Sequence, residues 1–142
     1  MKKKSILNYA GLLVVSTLCF LGFTTTVYAE GWDSTSGEWK YLDSANNPVS
    51  EAWRMSGDSW YYLGDDGNIV KDSMVTIGDG IYYLNADGAM AANSWIFAKD
   101  IDDNDAWYYF GADGKAYMGK DGRVYTREIN GKRYLFDEEG VM

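Results

Sequence analysis

Trp32 and Trp39, Trp53 and Trp60, and Trp95 and Trp107 account for all six tryptophans of this 142-residue sequence. The first two pairs are spaced by seven residues and the third by twelve. Two tryptophans at the ends of a short turn, joined by a third aromatic from a neighbouring segment, can wall a gap with π faces. Such a gap attracts a quaternary ammonium group at about 0.5–2 kcal/mol per face, and the same flat faces stack on sugar rings. Catalytic chemistry has less to work with. There is no histidine and one cysteine, Cys19, which removes the usual triad and a His/Cys zinc site. A carboxylate pair could hydrolyse a glycoside, but no two of the 21 acids stand apart from the turns in which most of them recur. Ser34, Ser36, Ser44 and Ser94 lack the context of a nucleophile elbow. Binding without catalysis, and without a cofactor, is the expectation.

The elements that must position these rings repeat. Trp60-Tyr61-Tyr62-Leu63-Gly64-Asp65-Asp66-Gly67 returns as Ile81 to Gly88 and as Trp107 to Gly114, with altered copies at Trp39 to Leu42 and Arg133 to Gly140. Trp39, Trp60 and Ile81 step by 21, as do Trp32, Trp53, Met74 and Trp95; Gly88, Gly114 and Gly140 then step by 26. Fixed periods of this length mark a repeat array. Each copy reads as an aromatic strand, an Asp-Gly turn and a return strand such as Asn68-Ile69-Val70, which together make a β-hairpin. No stretch after residue 29 sustains a helical period. The expected fold is all-β, a solenoid of stacked hairpins of about 21–26 residues. Alternation places Trp60 and Tyr62 on one strand face and Tyr61 and Leu63 on the other. One of those faces could simply be core.

Residues 1–29 read as a secretory signal peptide, with Lys2, Lys3 and Lys4 ahead of the apolar Ile6–Phe23 and cleavage after Val27-Tyr28-Ala29. The competing reading is an uncleaved anchor, since a span needs about 20 apolar residues. Leu18 before Cys19 argues against a lipoprotein. Cleavage leaves residues 30–142 as one repeat domain without cysteine, and loss of three lysines moves the net charge from −8 to −11. So acidic a chain is a poor partner for nucleic acid or anionic lipid and suits a cationic or neutral ligand. Asp100-Ile101-Asp102-Asp103-Asn104-Asp105 begins like a calcium loop. Asp105 then replaces the required glycine and Gly111 the bidentate glutamate, so a solvated turn is expected and no metal site.

Gly31-Trp32, the Trp-Tyr-Tyr-Leu strand, the Asp-Gly turn and Gly88-Ala89-Met90-Ala91 resemble the choline-binding, or cell-wall-binding, repeats of Gram-positive surface proteins. The last segment, Ile129 to Met142, is similar to the repeats of glucan-binding glucosyltransferases and clostridial toxins. The resemblance implies a left-handed β-solenoid with sites between consecutive hairpins, walled by aromatics and often a methionine, that bind phosphocholine on teichoic acids. Carried over, the Gly-Trp tryptophan falls on Trp32, Trp53 and Trp95, and the strand tryptophan on Trp39, Trp60 and Trp107. The third wall falls on a tyrosine near Tyr62 or Tyr83, and the methionine slot is filled as in the family only by Met90 and Met142. Met74 and Ile81 replace both tryptophans of the third pair, so that site is expected to be lost. The twelve-residue spacing of Trp95 and Trp107 is expected to distort theirs, and Arg133 stands where a strand tryptophan would.

The expected function is therefore that of a secreted cell-wall protein binding choline-decorated teichoic acid. Glucan or another cell-wall glycan is the alternative ligand, and a purely structural role the third. A terminal hairpin edge could also pair with a second molecule as a homodimer.

Overall fold

The computed structural model describes residues 29–142. The signal-peptide reading, its anchor alternative and Cys19 lie outside the described residues. Among the described residues the secondary structure is all β: ten strands paired as five antiparallel two-stranded sheets, each a hairpin. They are β1 (Gly31–Asp33) with β2 (Lys40–Leu42), β3 (Ala52–Ser56) with β4 (Ser59–Leu63), β5 (Ser73–Ile77) with β6 (Gly80–Leu84), β7 (Ser94–Lys99) with β8 (Asp105–Phe110), and β9 (Tyr125–Ile129) with β10 (Lys132–Phe136). The expected stack of hairpins is what forms. The chain divides into two compact units, one running up to Arg54 and including Leu63–Ile69, the other made of Met55–Tyr62 and Val70–Met142.

In the first unit, β1 and β2 pair through Trp32↔Tyr41 and Asp33↔Lys40. The turn after β2 is organised by Asp43, whose Oδ1 accepts the N–H groups of Ala45 at 2.9 Å and Asn47 at 2.8 Å. Val49 N–H then returns to the Tyr41 carbonyl at 2.8 Å. Leu63 is fully buried and bridges to Ile69.

The second unit repeats this arrangement. Asn85 Oδ1 accepts the N–H groups of Asp87 and Ala89, and Asp137 Oδ1 those of Glu139 and Val141. Each such turn ends on a left-handed glycine: Gly88 at φ 83° and Gly140 at φ 80°. Glycine reaches that conformation at no steric cost. Asn130-Gly131, at φ 52° and 76°, joins β9 to β10 as a two-residue hairpin turn that needs positive φ at both positions.

Leu84, Phe110 and Phe136 stand at the ends of β6, β8 and β10 and are fully buried. A lone hairpin is marginal in water; here Met74, Ile81 and Tyr83 of the β5–β6 hairpin pack against the buried cluster of Ala106, Tyr108, Phe110 and Ala116. A second link is polar. Met90 N–H donates to the Trp60 carbonyl at 2.8 Å, Ala116 N–H to the Ile81 carbonyl at 2.8 Å, and Met142 N–H to the Trp107 carbonyl at 3.0 Å. Each return segment is thereby pinned to the aromatic strand of the preceding hairpin. The same link occurs in the first unit, from Ile69 N–H to the Trp39 carbonyl at 3.2 Å.

Candidate functional site

The register of β7 and β8 shows how Trp95 and Trp107 meet despite their twelve-residue spacing. Trp95 lies opposite Tyr109 and Phe97 opposite Trp107, so all four project from one face. Trp107 is two positions along β8 from the residue facing Trp95. Trp39 stands in the same offset to Trp32, since Trp32 faces Tyr41. The five additional residues lie wholly beyond the tryptophan pair, at the hairpin tip. The expectation of a distorted pair is corrected by this register: the insertion lengthens the hairpin and leaves the pair in place.

Around that pair the rings converge. Trp95 and Trp107 are edge-on, with centroids 6.4 Å apart and planes at 82°. Tyr109 meets Trp95 at 5.1 Å. From the following hairpin, Tyr134 reaches Trp95 at 4.8 Å and 60°, and Phe136 stacks on it at 6.0 Å and 26°. Met142 is anchored beside them by its bond to the Trp107 carbonyl. Trp107 keeps 44% of its surface exposed. Trp107, Tyr109, Tyr134 and Phe136 thus cluster on Trp95, drawing rings from two consecutive hairpins.

Trp39, just before β2, and Trp60 in β4 are 40% and 43% exposed. Trp32 and Trp53 are half-buried in β1 and β3, and Trp32 meets Tyr41 edge-on at 5.4 Å. Met90 is half-buried, linked to Trp60 by its N–H, with its side chain against Gly114, where an added Cβ would collide with Met90 Sδ. Tyr62 is half-buried in β4. Tyr83 is also half-buried; its hydroxyl donates to Asp72 Oδ1 at 2.9 Å, and its ring packs 6.3 Å from Phe110.

The contact of Tyr134 with Trp95 escaped the sequence argument. Tyr134 occupies the repeat position of Tyr61, Tyr82 and Tyr108, one residue before that of Tyr62 and Tyr83. The tryptophan face of one hairpin looks onto the Tyr134–Phe136 face of the next, and alternation within a single strand could not reveal that. Phe97 was also overlooked, although its two-residue step from Trp95 was visible.

The Met74–Ile81 position has become core. Both residues pack against the buried cluster of Ala106, Tyr108, Phe110 and Ala116. Tyr108, the counterpart of Tyr134, is only 2% exposed, and burial pushes its hydroxyl pKa upward, with Asp100, Asp137 and Glu139 adding to the shift.

The calcium-like loop is a further copy of the repeat turn. Asp100 Oδ1 accepts the N–H groups of Asp102 at 2.9 Å and Asn104 at 2.8 Å, the same two-on and four-on pattern as Asp43 and Asp137. Asp103 takes the left-handed place, at φ 64°, that Gly140 fills elsewhere. Backbone bonds therefore occupy the carboxylate that would have led a metal site.

Comparison with known proteins agrees with this architecture. Residues 49–95 match the choline-binding repeat, and residues 101–116 and 127–142 match the cell wall binding repeat. The modular autolysin LytC from Streptococcus pneumoniae, solved with a synthetic peptidoglycan ligand, is similar at 28% identity and TM-score 0.62, over 82% of this chain and 25% of LytC. Choline binding protein F from the same organism is similar at 30% identity and TM-score 0.53, over 80% of this chain and 33% of that protein. Its structure in the presence of a tetrasaccharide-pentapeptide peptidoglycan analogue gives 29% identity and TM-score 0.54, over 82% and 34%. The chain thus spans about a quarter to a third of the length of these relatives. Comparison with curated protein sequences gives no match.

Proposed function

Because the chain belongs to the choline-binding, or cell wall binding, repeat family, we propose that it is a secreted, non-catalytic protein of a Gram-positive cell surface that binds choline on teichoic acid. In this reading residues 1–29 direct export and residues 30–142 form the binding domain. The observation that supports it is the aromatic cluster of Trp95, Trp107 and Tyr134, drawn from two hairpins, with the Met142 N–H bonded to the Trp107 carbonyl. A quaternary ammonium cannot donate a hydrogen bond and is weakly hydrated. Three π faces with a thioether suit it by cation–π attraction and dispersion. The acidic background, −8 over the whole chain, favours the same ligand.

A further site would use Trp32 with Trp39, and by sequence Trp53, Trp60 and Met90 are candidate ligand residues. Tyr61 and Tyr82 occupy the sequence position of Tyr134 in the repeats that follow these pairs. Each cage alone binds weakly. Several cages engaging one polymer raise avidity by about 10²–10⁴.

Glycan binding is the second reading. The exposed faces of Trp39, Trp60 and Trp107 could stack on sugars, and both LytC and choline binding protein F have been solved with peptidoglycan ligands. Tryptophan fluorescence separates the two. Choline binding requires a saturable change with choline, absent with sodium chloride and dextran, that shrinks in Trp107→Ala. A response to dextran alone would favour the glycan. Silence with both would leave a structural role.

A further inference from the structure

Charge is distributed unevenly along the chain. Residues 30–114 carry 16 acidic and four basic side chains, a net of −12, whereas residues 115–136 carry six basic and two acidic ones, a net of +4. The reversal falls on the last hairpin and the segment that leads into it. Lys120, Arg123, Lys132 and Arg133 are exposed there, and among the described residues none of them forms an ion pair with a carboxylate. Lys99 and Lys115, by contrast, are held by Asp105 and Asp79 at 2.9 and 2.7 Å.

Two local features place these cations. The first is an added turn. Gly88 precedes the start of β7 by six residues, but Gly114 precedes the start of β9 by eleven. The longer segment contains the two-residue turn Asp121-Gly122, at φ 55° and 74°, closed by reciprocal backbone bonds of 3.0 and 3.1 Å between Lys120 and Arg123. The Gly119 N–H ties it to the Asp137 carbonyl at 2.6 Å, and the Gly122 N–H donates to the Glu138 carboxylate. Asp137 Oδ1 accepts the Glu139 and Val141 N–H groups. Asp137 and Glu138 are thus engaged by backbone donors, and Lys120 and Arg123 stay uncompensated. The second feature is a replacement. Arg133 stands three residues before the buried Phe136, as Trp107 stands before Phe110, and Thr126, Glu128 and Leu135 take the places of Trp95, Phe97 and Tyr109. The face that bears four rings on β7–β8 bears none on β9–β10. Glu128 faces Arg133 in register, yet the two form no ion pair.

A guanidinium is always charged and offers phosphate paired N–H donors; an ammonium offers a compact point charge. Salt screens exposed charges beyond about 8 Å at physiological ionic strength, so this basic surface acts apart from the acidity of the whole chain. A densely charged strand would also meet Asp100, Asp102 and Asp103 on the preceding hairpin. A flexible polymer whose phosphates are spaced by neutral units can engage the basic end alone. We propose that Lys120, Arg123, Lys132 and Arg133 form a docking surface for the phosphodiester backbone of such a cell-surface polymer, separate from any ammonium site. This inference rests on the cell-wall reading above and is independent of choline.

The test is isothermal titration of the repeat domain with a choline-free poly(glycerol phosphate). Binding is expected in 50 mM NaCl and should weaken about tenfold by 150 mM, as about three phosphate contacts require. Replacing all four cations by glutamine should weaken it at least about tenfold and flatten the salt dependence, with the near-ultraviolet circular dichroism and the fluorescence response to choline retained. Lys40→Gln with Lys71→Gln, the same kind of change elsewhere, should alter it less than about twofold. No binding of the polymer in 50 mM NaCl, or binding that survives the fourfold substitution, would overturn the surface. Tighter binding of an oligothymidylate with the same number of phosphates would overturn the assignment to a cell-surface polymer in favour of nucleic acid. Polymer binding without any response to choline would sustain this surface and count against the ammonium reading alone.

Discussion

Trp95 and Tyr134 come from consecutive hairpins and meet with ring centroids 4.8 Å apart. The contact joins aromatic residues of two hairpins, so in the proposed reading no single hairpin would hold every wall of the site. Tyr134→Ala should weaken choline at the Trp95–Trp107 site by about 2- to 30-fold, the worth of one cation–π face. The corresponding change at Tyr109 removes a Trp95 neighbour from the same hairpin and should cost less. NMR titration of the two indole signals measures both.

The third position should resist restoration. Met74 and Ile81 pack against a cluster that holds Tyr108 at 2% exposure, so no gap is left for larger rings. Ile81→Trp is expected to destabilise the fold by about 1–3 kcal/mol through overpacking, with no added choline stoichiometry. Urea unfolding and equilibrium dialysis report the two outcomes.

Arg127 places its guanidinium 4.9 Å from the Tyr117 ring centroid and 5.3 Å from that of Tyr125. It clamps β9 to the segment that follows β8. Arg127→Ala should cost about 1–2 kcal/mol, two exposed cation–π contacts, and Arg127→Lys should recover part of it. Thermal unfolding of the three proteins gives the comparison.

The turns set the acid limit. The Asn47 N–H above all holds the Asp43 carboxyl below its ordinary value near 3.8. The Asn68 N–H does the same for Asp66 and the Asn104 N–H for Asp100. A carboxylate with a lowered folded pKa lends stability above its unfolded pKa, and that stability is lost as pH falls through the folded value. The melting temperature should be flat from neutrality to about pH 5 and fall below about pH 4. At the alkaline end Tyr83, bonded to Asp72, and Tyr108, buried, both sit above the usual 10.0. Groups with raised folded pKa values stabilise below the unfolded value and cease to as pH rises through the folded one, so a second decline should begin above about pH 10. Tyr108→Phe should reduce that second decline.

Gly114 sits at φ 77°, where an added methyl would collide with Met90 Sδ. Gly114→Ala should cost at least about 1–2 kcal/mol from the left-handed backbone alone. It should also displace Met90, lowering choline affinity at the Trp60 side of the molecule.

What the sequence revealed was local. Asp-Gly turns, the aromatic strands and their 21-residue period follow from hairpin geometry, so the stacked hairpins could be read from residues such as Trp60 to Gly67. Tyr134 could not, because its role depends on which face the next hairpin turns toward Trp95. Counting along the chain also misjudged Trp107: twelve residues from Trp95 in sequence is still a two-position offset in register. At Asp100 the sequence reads as a turn despite its Asp-x-Asp-x-Asn start, and its carboxylate accepts the backbone N–H groups of Asp102 and Asn104.

The N–H of Met90, Ala116 and Met142 fastens each return segment to a strand carbonyl 30 or 35 residues earlier, with bonds of 2.8 to 3.0 Å throughout. The attachment ignores the length of chain between its ends. Such a fold has a bound spine and a free margin, and the five residues added at the tip beyond Lys99 widen one page without loosening the binding. A peptide grafted between Asp102 and Asp103 would be displayed on that margin. New specificities could be written there one hairpin at a time, with the neighbouring pages unaltered.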